Sequence, residues 1–338
     1  MNDMSAAKGS NGRFMGYQGE YTWYYLENAS GGTYRFDIID ADLAYLATKS
    51  AADGVDYKLI IYLSCSESLA GAASTPQPLA YSAGAGSSSR SIAPDYIING
   101  VTPGAGPGVM NNPNGNAVVA LWRSNEMTAF IKLVNALGAR YDGNPHVEAI
   151  IPIYEMGENI TNIIAIDPTY SVANFVTQLG RLAAAMQTSW PTTNKIFFNN
   201  WGASNWSLAQ LTTLTQTFVA AAFGMGGPDI LYNTGGFPTQ GAVISLAQAG
   251  STNYVGKVPL LYEEQANAYS FPTQTSAGTE AYAYGTLEAS HVVWADIPNG
   301  QVSYPLTEWP SITAALNAVN FRIHSTCPTN YATGCNTQ

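Results

Sequence analysis

The sequence of 338 residues is poor in charged side chains, and in cations above all. Only 11% of its residues are charged, and Lys and Arg together number 13. Nucleic-acid phosphates demand clustered cations, so this scarcity and the formal net charge of -10 exclude nucleic acid as a partner. The same charge disfavours a polyanionic substrate. Gly, Ser, Thr, Asn and Tyr fill the polar positions, which is typical of a secreted protein or a glycan binder.

Long apolar runs and cysteines are also scarce. No run approaches the roughly 18 apolar residues that cross a bilayer, so we expect no membrane partner. Residues 1–13 lack the apolar stretch of a signal peptide, so an exported form would have lost its signal before this point. Cys327 and Cys335 flank a short loop and predict a local disulfide, whereas Cys65 follows an apolar run and is predicted to be a buried thiol. We therefore expect an extracellular protein.

Motifs for metal and serine chemistry are missing. The three histidines, His146, His291 and His324, are scattered, with no H-E-x-x-H and no pair of cysteines placed to bind zinc. No G-x-S-x-G elbow is present either. We expect no metal, no cofactor and no serine nucleophile.

The order of apolar segments predicts the fold. Short apolar runs alternate with segments of helical period, which indicates repeated βα units around a parallel sheet. Helices are predicted over 127–141 and 172–186, where apolar residues recur every three or four positions. The strand candidates are 21–26, 57–65, 147–155, 195–201, 229–235, 258–264 and 291–296.

Seven such strands, with no glycine-rich phosphate loop after the first, favour a (β/α)8 TIM barrel over an open doubly wound sheet. We expect one domain over residues 1–338. Too few residues precede residue 21 for a full eighth unit, so the first βα unit is expected to be abbreviated or missing. Residues 66–116 form the longest irregular stretch and are predicted to cover the carboxyl-terminal face of the barrel. A mobile solvent loop is the alternative.

Acidic residues stand at two predicted strand ends. Glu155 ends one strand, and Glu263 and Glu264 end another, three strands later. Barrel enzymes keep catalytic groups at carboxyl-terminal strand ends, and glycoside cleavage needs one carboxyl as acid and one carboxylate as nucleophile or base. Glu158 is an alternative to Glu155, and a purely structural carboxylate is another. Adjacent strand residues face opposite ways, so only one of Glu263 and Glu264 is expected to face the site, and Glu263 is favoured.

A family resemblance follows from residues 23–46, WYYLENASGGTYRFDIIDADLAYL. They resemble the W-x-x-L-E-P, G-x-Y-x-F pattern after the second strand of clan A glycoside hydrolases, the β-galactosidase-like and cellulase-like TIM barrels. Asn28 stands where the clan has proline. The resemblance implies that 147–155 is strand four and 258–264 strand seven. It implies further that Glu155 is the acid/base, that Glu263 or Glu264 is the nucleophile, and that the reaction retains anomeric configuration.

Substrate-binding residues are predicted at the same strand ends. Trp294 matches the position where the clan keeps a sugar-stacking aromatic. The clan usually has Asn before its acid/base, whereas this chain has Tyr154, so Asn199 or Asn200 is expected to contact the sugar 2-hydroxyl. Asp296 either binds sugar hydroxyls or caps its loop. The remaining aromatic candidates, each with a core position as the alternative, are Trp201, Tyr232, Trp23 and Trp122.

These features predict an exported glycoside hydrolase acting on a neutral oligo- or polysaccharide. The alternative is a non-catalytic barrel that binds glycans or belongs to an extracellular or virion assembly. The short first unit and the richness in Gly, Ser and Thr favour that alternative. The sugar, the linkage and the oligomeric state stay open.

Overall fold

The computed structural model describes eleven separate stretches of the chain. They are residues 16–28, 31–68, 92–101, 108–111, 116–154, 167–198, 206–227, 258–264, 276–285, 287 and 289–294. The strands are β1 (Gly16–Thr22), β2 (Lys58–Ser64), β3 (Ser66–Ser68), β4 (Val109–Asn111), β5 (Asn116–Val119), β6 (Val147–Tyr154), β7 (Asn194–Phe198), β8 (Phe223–Gly227), β9 (Leu260–Glu264) and β10 (His291–Trp294). The helices are α1 (Trp23–Leu26), α2 (Asp37–Asp53), α3 (Asp95–Ile98), α4 (Ser124–Tyr141), α5 (Val172–Ser189), α6 (Leu208–Ala220) and α7 (Ser276–Gly285).

Seven strands form one parallel sheet in chain order, β1-β2-β6-β7-β8-β9-β10. Every neighbouring pair is parallel, and at least one described helix lies between successive strands of this sheet, except between β8 and β9, where residues 228–257 lie outside the described ones. This is the pattern of consecutive βα units, in which parallel strands are covered by helices. The predicted TIM-barrel fold is confirmed as a nearly closed barrel of seven described strands.

The curvature of the sheet is visible in its inner packing. Ile60 of β2 and Val293 of β10 pack against the same cluster, although five places separate these strands in the sheet. Only a sheet curled into a barrel brings such strands together, and barrel interiors are filled by side chains in this way. The fully buried members of the cluster are Tyr62, Ala149, Ile151, Ile196, Phe198 and Leu261.

The amino-terminal end of the barrel is closed by polar side chains. His291 at the start of β10 donates from Nε2 to Oε1 of Glu148 on β6 at 3.0 Å, four places away in the sheet. Asn194 at the start of β7 donates from Nδ2 to the Glu148 carbonyl oxygen at 3.1 Å. His291 Nδ1 lies 2.9 Å from Ser290 Oγ, which accepts from the Leu260 N–H of β9 at 2.8 Å. Four strands are thus joined across one mouth of the barrel.

The predicted strand 21–26 is wrong in its bounds. The strand is β1, which ends at Thr22, and residues 23–26 form the helical turn α1. Trp23 and Leu26, three residues apart, are both buried, which is helical rather than strand spacing. The strand β1 begins with a glycine, a residue that strands usually avoid. A Cβ at Gly16 would clash with the Lys58 carbonyl oxygen, which explains the glycine there.

A second difference concerns β8, whose sequence FGMGG contains no run of strand-favouring residues. Gly224 and Gly226 pair with Ile196 and Phe198 of β7, whose side chains fill the lumen. A Cβ on Gly224 would clash with the Pro259 carbonyl oxygen and with Ile196 Cδ1. A Cβ on Gly226 would clash with the Leu261 carbonyl oxygen, so the glycines allow the backbone at β9 to approach closely. The strand predicted at 229–235 lies outside the described residues.

The stretch 66–116 is not uniformly irregular. Its described parts contain α3 and the antiparallel sheet β3-β5-β4, which begins two residues beyond the end of β2. Ile92, Ile97 and Val118 are buried in the main core. The sequence did not predict this small sheet, because its strands have only three or four residues and lie among glycine-rich segments.

The helices predicted over 127–141 and 172–186 are α4 and α5. The helix α4 ends at Tyr141, directly before the turn-forming residues 142–145, DGNP. The helix α5 begins at Val172. The side chain of Ser171 accepts the Asn174 N–H at 3.0 Å and is the N-cap, as serine commonly is.

Candidate active site

The carboxyl-terminal ends of three strands form one edge of the site. Thr22 of β1 is in register with Ser64 of β2, and Ser64 is in register with Tyr154 of β6. Thr22 and Ser64 are buried, and their positions continue the inward face of Ile60 and Tyr62. Small hydroxyl side chains therefore stand at the mouth above the apolar lumen.

Glu263 is the carboxylate that the described structure brings to this lumen. It lies on β9 two residues beyond Leu261, a member of the lumen cluster, and its register partner is Val293, which packs against the same cluster. Leu260 and Tyr262 alternate with these residues and pack outward against α7. Only 3% of Glu263 is exposed. Strand alternation thus puts Glu263 on the inner face and Glu264 at a position of the outer face.

Most other predicted site residues lie outside the described residues. They are Glu155, Glu158, Asn199, Asn200, Trp201, Tyr232 and Asp296. Tyr154 and Trp294 end β6 and β10, and only their backbone is described. The strand β6, which ends at Tyr154, stands three places from β9 in the sheet.

Trp23 belongs to the core, which corrects its prediction as a substrate-binding residue. The ring is 1% exposed and lies 5.3 Å from Phe130 of α4, centroid to centroid. Its Nε1 donates to Oε2 of Glu27 at 2.6 Å. A ring so enclosed offers no face to a sugar, and Trp23 stabilises the strand end instead.

Glu27 organises the segment after β1, a role for which the sequence offered only its place in the family pattern. Its carboxylate is 2% exposed and accepts hydrogen bonds from Trp23 Nε1, from the Gly32 N–H at 2.6 Å and from the Tyr96 hydroxyl at 3.0 Å. Burial beside this carboxylate raises the pKa of Tyr96. One buried anion therefore connects α1, the glycine turn and α3.

Trp122 is likewise a core residue and not a sugar-stacking one. It is 2% exposed, and its Nε1 donates to Oδ2 of Asp167 at 2.7 Å. The Arg123 guanidinium forms an ion pair with the same oxygen at 2.9 Å, and Thr169 donates from its backbone and hydroxyl to Oδ1. Asp167 thereby connects the start of α4 to the approach to α5.

The pKa of Asp167 is lowered in the folded protein. Burial acts to raise it, but the hydrogen bonds from Thr169 and Trp122 and the charge on Arg123 outweigh burial. The carboxylate therefore contributes stability that is complete above its unfolded pKa, near 3.8, and is lost as the pH falls through the folded value.

We expect Asp167→Asn to lower the free energy of unfolding by about 1–3 kcal/mol at pH 7, because the amide cannot pair with Arg123. The deficit should shrink as the pH falls from 4 towards 2, since the wild-type carboxylate becomes protonated there. Urea unfolding at several pH values measures it. Asp56→Asn removes an exposed ion pair with Lys58 and is the control, with a change of about 1 kcal/mol or less. A deficit that is constant with pH would contradict the assignment.

Other groups in the described part of the chain are structural. Cys65 is buried and outside any disulfide, as predicted, and burial raises the pKa of its thiol. Cys327 and Cys335 lie outside the described residues. Within the described ranges, no three His, Cys, Asp or Glu side chains gather as metal ligands. In the same ranges no helix has the length and apolar character that crossing a membrane requires.

Solved structures share this architecture. A GH5_18 protein from Streptomyces cattleya, in complex with Manb1-4GlcNAc, matches 96% of this chain and 76% of its own, with a TM-score of 0.58 and 13% identity. Endo-glycoceramidase II from Rhodococcus sp., as its lactosyl-enzyme intermediate, matches 94% and 74%, with a TM-score of 0.53 and 13% identity. A trimodular GH5_4 subfamily endoglucanase matches 93% and 56%, with a TM-score of 0.52 and 13% identity.

The chain has the fold of clan A glycoside hydrolases. The expected resemblance is thereby confirmed at the level of the fold. No family model matches the sequence, and no curated protein does. At 13% identity the likeness carries the architecture only, so activity and substrate must be argued from the residues of this chain.

Proposed function

We propose that this protein is an exported retaining glycoside hydrolase that cleaves neutral oligo- or polysaccharides, with Glu263 as nucleophile and Glu155 as acid/base. The observation that carries the proposal is the Glu263 carboxyl, buried on the inner face of a barrel strand one residue before its carboxyl-terminal end. Barrel enzymes place their catalytic groups at this end of their strands.

The chemistry follows from two carboxyls at ends three strands apart. Glu263 attacks the anomeric carbon while protonated Glu155 donates its proton to the glycosidic oxygen, so that the sugar–oxygen bond breaks and the first product leaves. Glu155, now ionised, takes a proton from water as the water oxygen attacks the same carbon. The bond to Glu263 breaks, and both carboxyls regain their starting protonation. Two inversions give net retention.

The comparisons with solved structures support this choice. Endo-glycoceramidase II was captured as a lactosyl-enzyme intermediate, and a GH5_18 protein holds a disaccharide. A barrel of the same architecture is therefore compatible with glycosyl transfer to the protein. The net charge of -10 in this chain further supports an uncharged substrate.

The test is the release of reducing sugar from a panel of neutral polysaccharides and aryl glycosides, with the product anomer followed by NMR. We expect wild-type activity with a bell-shaped pH profile, since one carboxyl must be protonated and the other ionised. Glu155→Gln should lower kcat by about 10²–10⁴-fold on unactivated sugars, and less on aryl glycosides whose leaving groups need no acid. Glu158→Gln is the matched control.

Each other outcome points elsewhere. Inversion at the anomeric carbon would make Glu263 a base rather than a nucleophile. Loss of activity in Glu158→Gln alone would move the acid/base role to that residue. Glycan binding without turnover at any pH would favour the non-catalytic barrel.

A further inference from the structure

The short helix α1 has two faces with different environments. Trp23 and Leu26 are buried, whereas Tyr24 is half-buried and Tyr25 has 36% of its surface exposed. At about 100° per residue, Tyr25 lies roughly 200° around the helix from Trp23 and so points away from α4. Among the described residues, the other large apolar side chains with this much exposure are Ile38 and Tyr45, both on α2.

The exposed face of α1 is held rigidly. The Arg35 guanidinium lies over the Tyr24 ring, 5.9 Å from its centroid, and Nη2 donates to the carbonyl oxygens of Tyr24 and Glu27 at 2.6 and 2.9 Å. The Arg35 N–H also donates to the Leu26 carbonyl oxygen at 2.9 Å. The Tyr25 ring stands edge-on to the Tyr24 ring, with centroids 5.5 Å apart. A ring on a pre-organised segment loses little entropy when it binds a ligand.

The position of this face is as informative as its rigidity. Because α1 begins directly after Thr22, it stands at the carboxyl-terminal end of β1, on the edge of the barrel that carries Glu263 on β9. Thr22 is in register with Ser64, and Ser64 with Tyr154, the residue before Glu155. The helix α1 therefore stands at the same end of the barrel as the proposed cleavage site.

We propose that Tyr24, Tyr25 and Arg35 form an outlying sugar-binding subsite, so that the substrate is an extended neutral glycan chain. Sugar rings carry apolar C–H faces that pack on aromatic rings, and their hydroxyls accept hydrogen bonds from guanidinium and phenol groups. The formal net charge of -10 favours an uncharged ligand. The inference rests on the proposed function for the location of the cleavage site, but a binding measurement tests it independently of turnover.

The experiment measures binding of soluble neutral polysaccharides by affinity gel electrophoresis, with hydroxyethylcellulose, galactomannan and mixed-linkage glucan as probes. Wild type should be retarded by at least one of them. Tyr25→Ala should raise the Kd by about tenfold. Tyr25→Phe, which keeps the ring, should raise it by less than about threefold. Tyr45→Ala removes a tyrosine of similar exposure, 38%, from the middle of α2 and should bind as wild type does.

Kinetics give a second readout on any oligosaccharide series that wild type cleaves. The loss of kcat/KM in Tyr25→Ala should grow with the number of sugar units and appear chiefly in KM. Thermal unfolding of each variant by circular dichroism establishes that the fold is kept.

The outcomes separate the two proposals. Polysaccharide binding that depends on Tyr25 but brings no hydrolysis would leave the subsite standing and overturn the enzyme. Hydrolysis with equal Kd in wild type and Tyr25→Ala would overturn the subsite alone. Retardation of wild type by none of the polysaccharides, or an equal loss in Tyr45→Ala, would also overturn the subsite.

Discussion

Glu263→Gln is expected to lower kcat/KM for glycoside cleavage by at least about 10³-fold, because an amide cannot form the glycosyl ester on which the retaining route depends. The change is nearly isosteric, so the buried position next to Leu261 and Val293 should keep its packing. Release of reducing sugar and of aryl leaving groups measures the effect. Tight substrate binding is expected to survive, which would make this variant useful for trapping complexes.

Glu264→Gln is the matched control for this prediction. It removes an identical carboxylate one residue along β9, at a position of the opposite face, and should keep kcat/KM within about tenfold of wild type. Azide offered to Glu263→Ala should restore turnover by attacking the anomeric carbon in place of the carboxylate, giving a glycosyl azide of inverted configuration. The reverse order of effects in the two glutamine variants would show that the strand register has been interpreted wrongly.

Glu27→Ala is expected to lower the free energy of unfolding by about 3–5 kcal/mol. The substitution deprives the Trp23 indole N–H, the Gly32 N–H and the Tyr96 hydroxyl of their common acceptor and leaves a cavity. Hydrogen bonds to a buried charged group are the strong ones, so their loss should exceed that of an ordinary surface contact. Chemical denaturation measures the change.

Glu20→Ala provides the comparison for Glu27→Ala. Glu20 is an exposed glutamate on the adjoining strand β1, and its replacement should cost about 0.5 kcal/mol or less. Glu27→Gln should fall between the two, because an amide oxygen still accepts hydrogen bonds without the charge. A small effect of Glu27→Ala would mean that the loop after β1 re-forms around water.

The parts of the fold that were predictable are those in which side chains carry the signal. The helix α4 was found because Met127, Phe130 and Val134 recur at helical spacing, and all three are buried as that pattern requires. The strand β8 was missed because its inner positions, Gly224 and Gly226, are glycines, where a Cβ would clash with the carbonyl oxygens of Pro259 and Leu261. Such a requirement exists only between elements and leaves no pattern along the chain.

The candidate site was predictable to the same degree. The presence of acidic residues at a predicted strand end pointed to Glu263 and Glu264. The alternation of side chains along the strand then distinguishes the two positions. Trp23 was misjudged because a tryptophan in an apolar run reads equally as core or as platform. The hydrogen bond from Trp23 Nε1 to Glu27 identifies it as a core residue. The two residues are four positions apart, and only the helical turn brings them close together.

The polar closure at the amino-terminal mouth bears on how the molecule comes apart. Glu148 and His291 are separated by 143 positions in the chain, and a half-barrel lacking β10 would leave the Glu148 carboxylate without its imidazole donor. The strands β6 and β10 share this hydrogen bond, so neither can detach from the barrel without breaking a contact of the other. The hydrogen bond between His291 and Glu148 therefore couples the strands β6 and β10 into one cooperative unit.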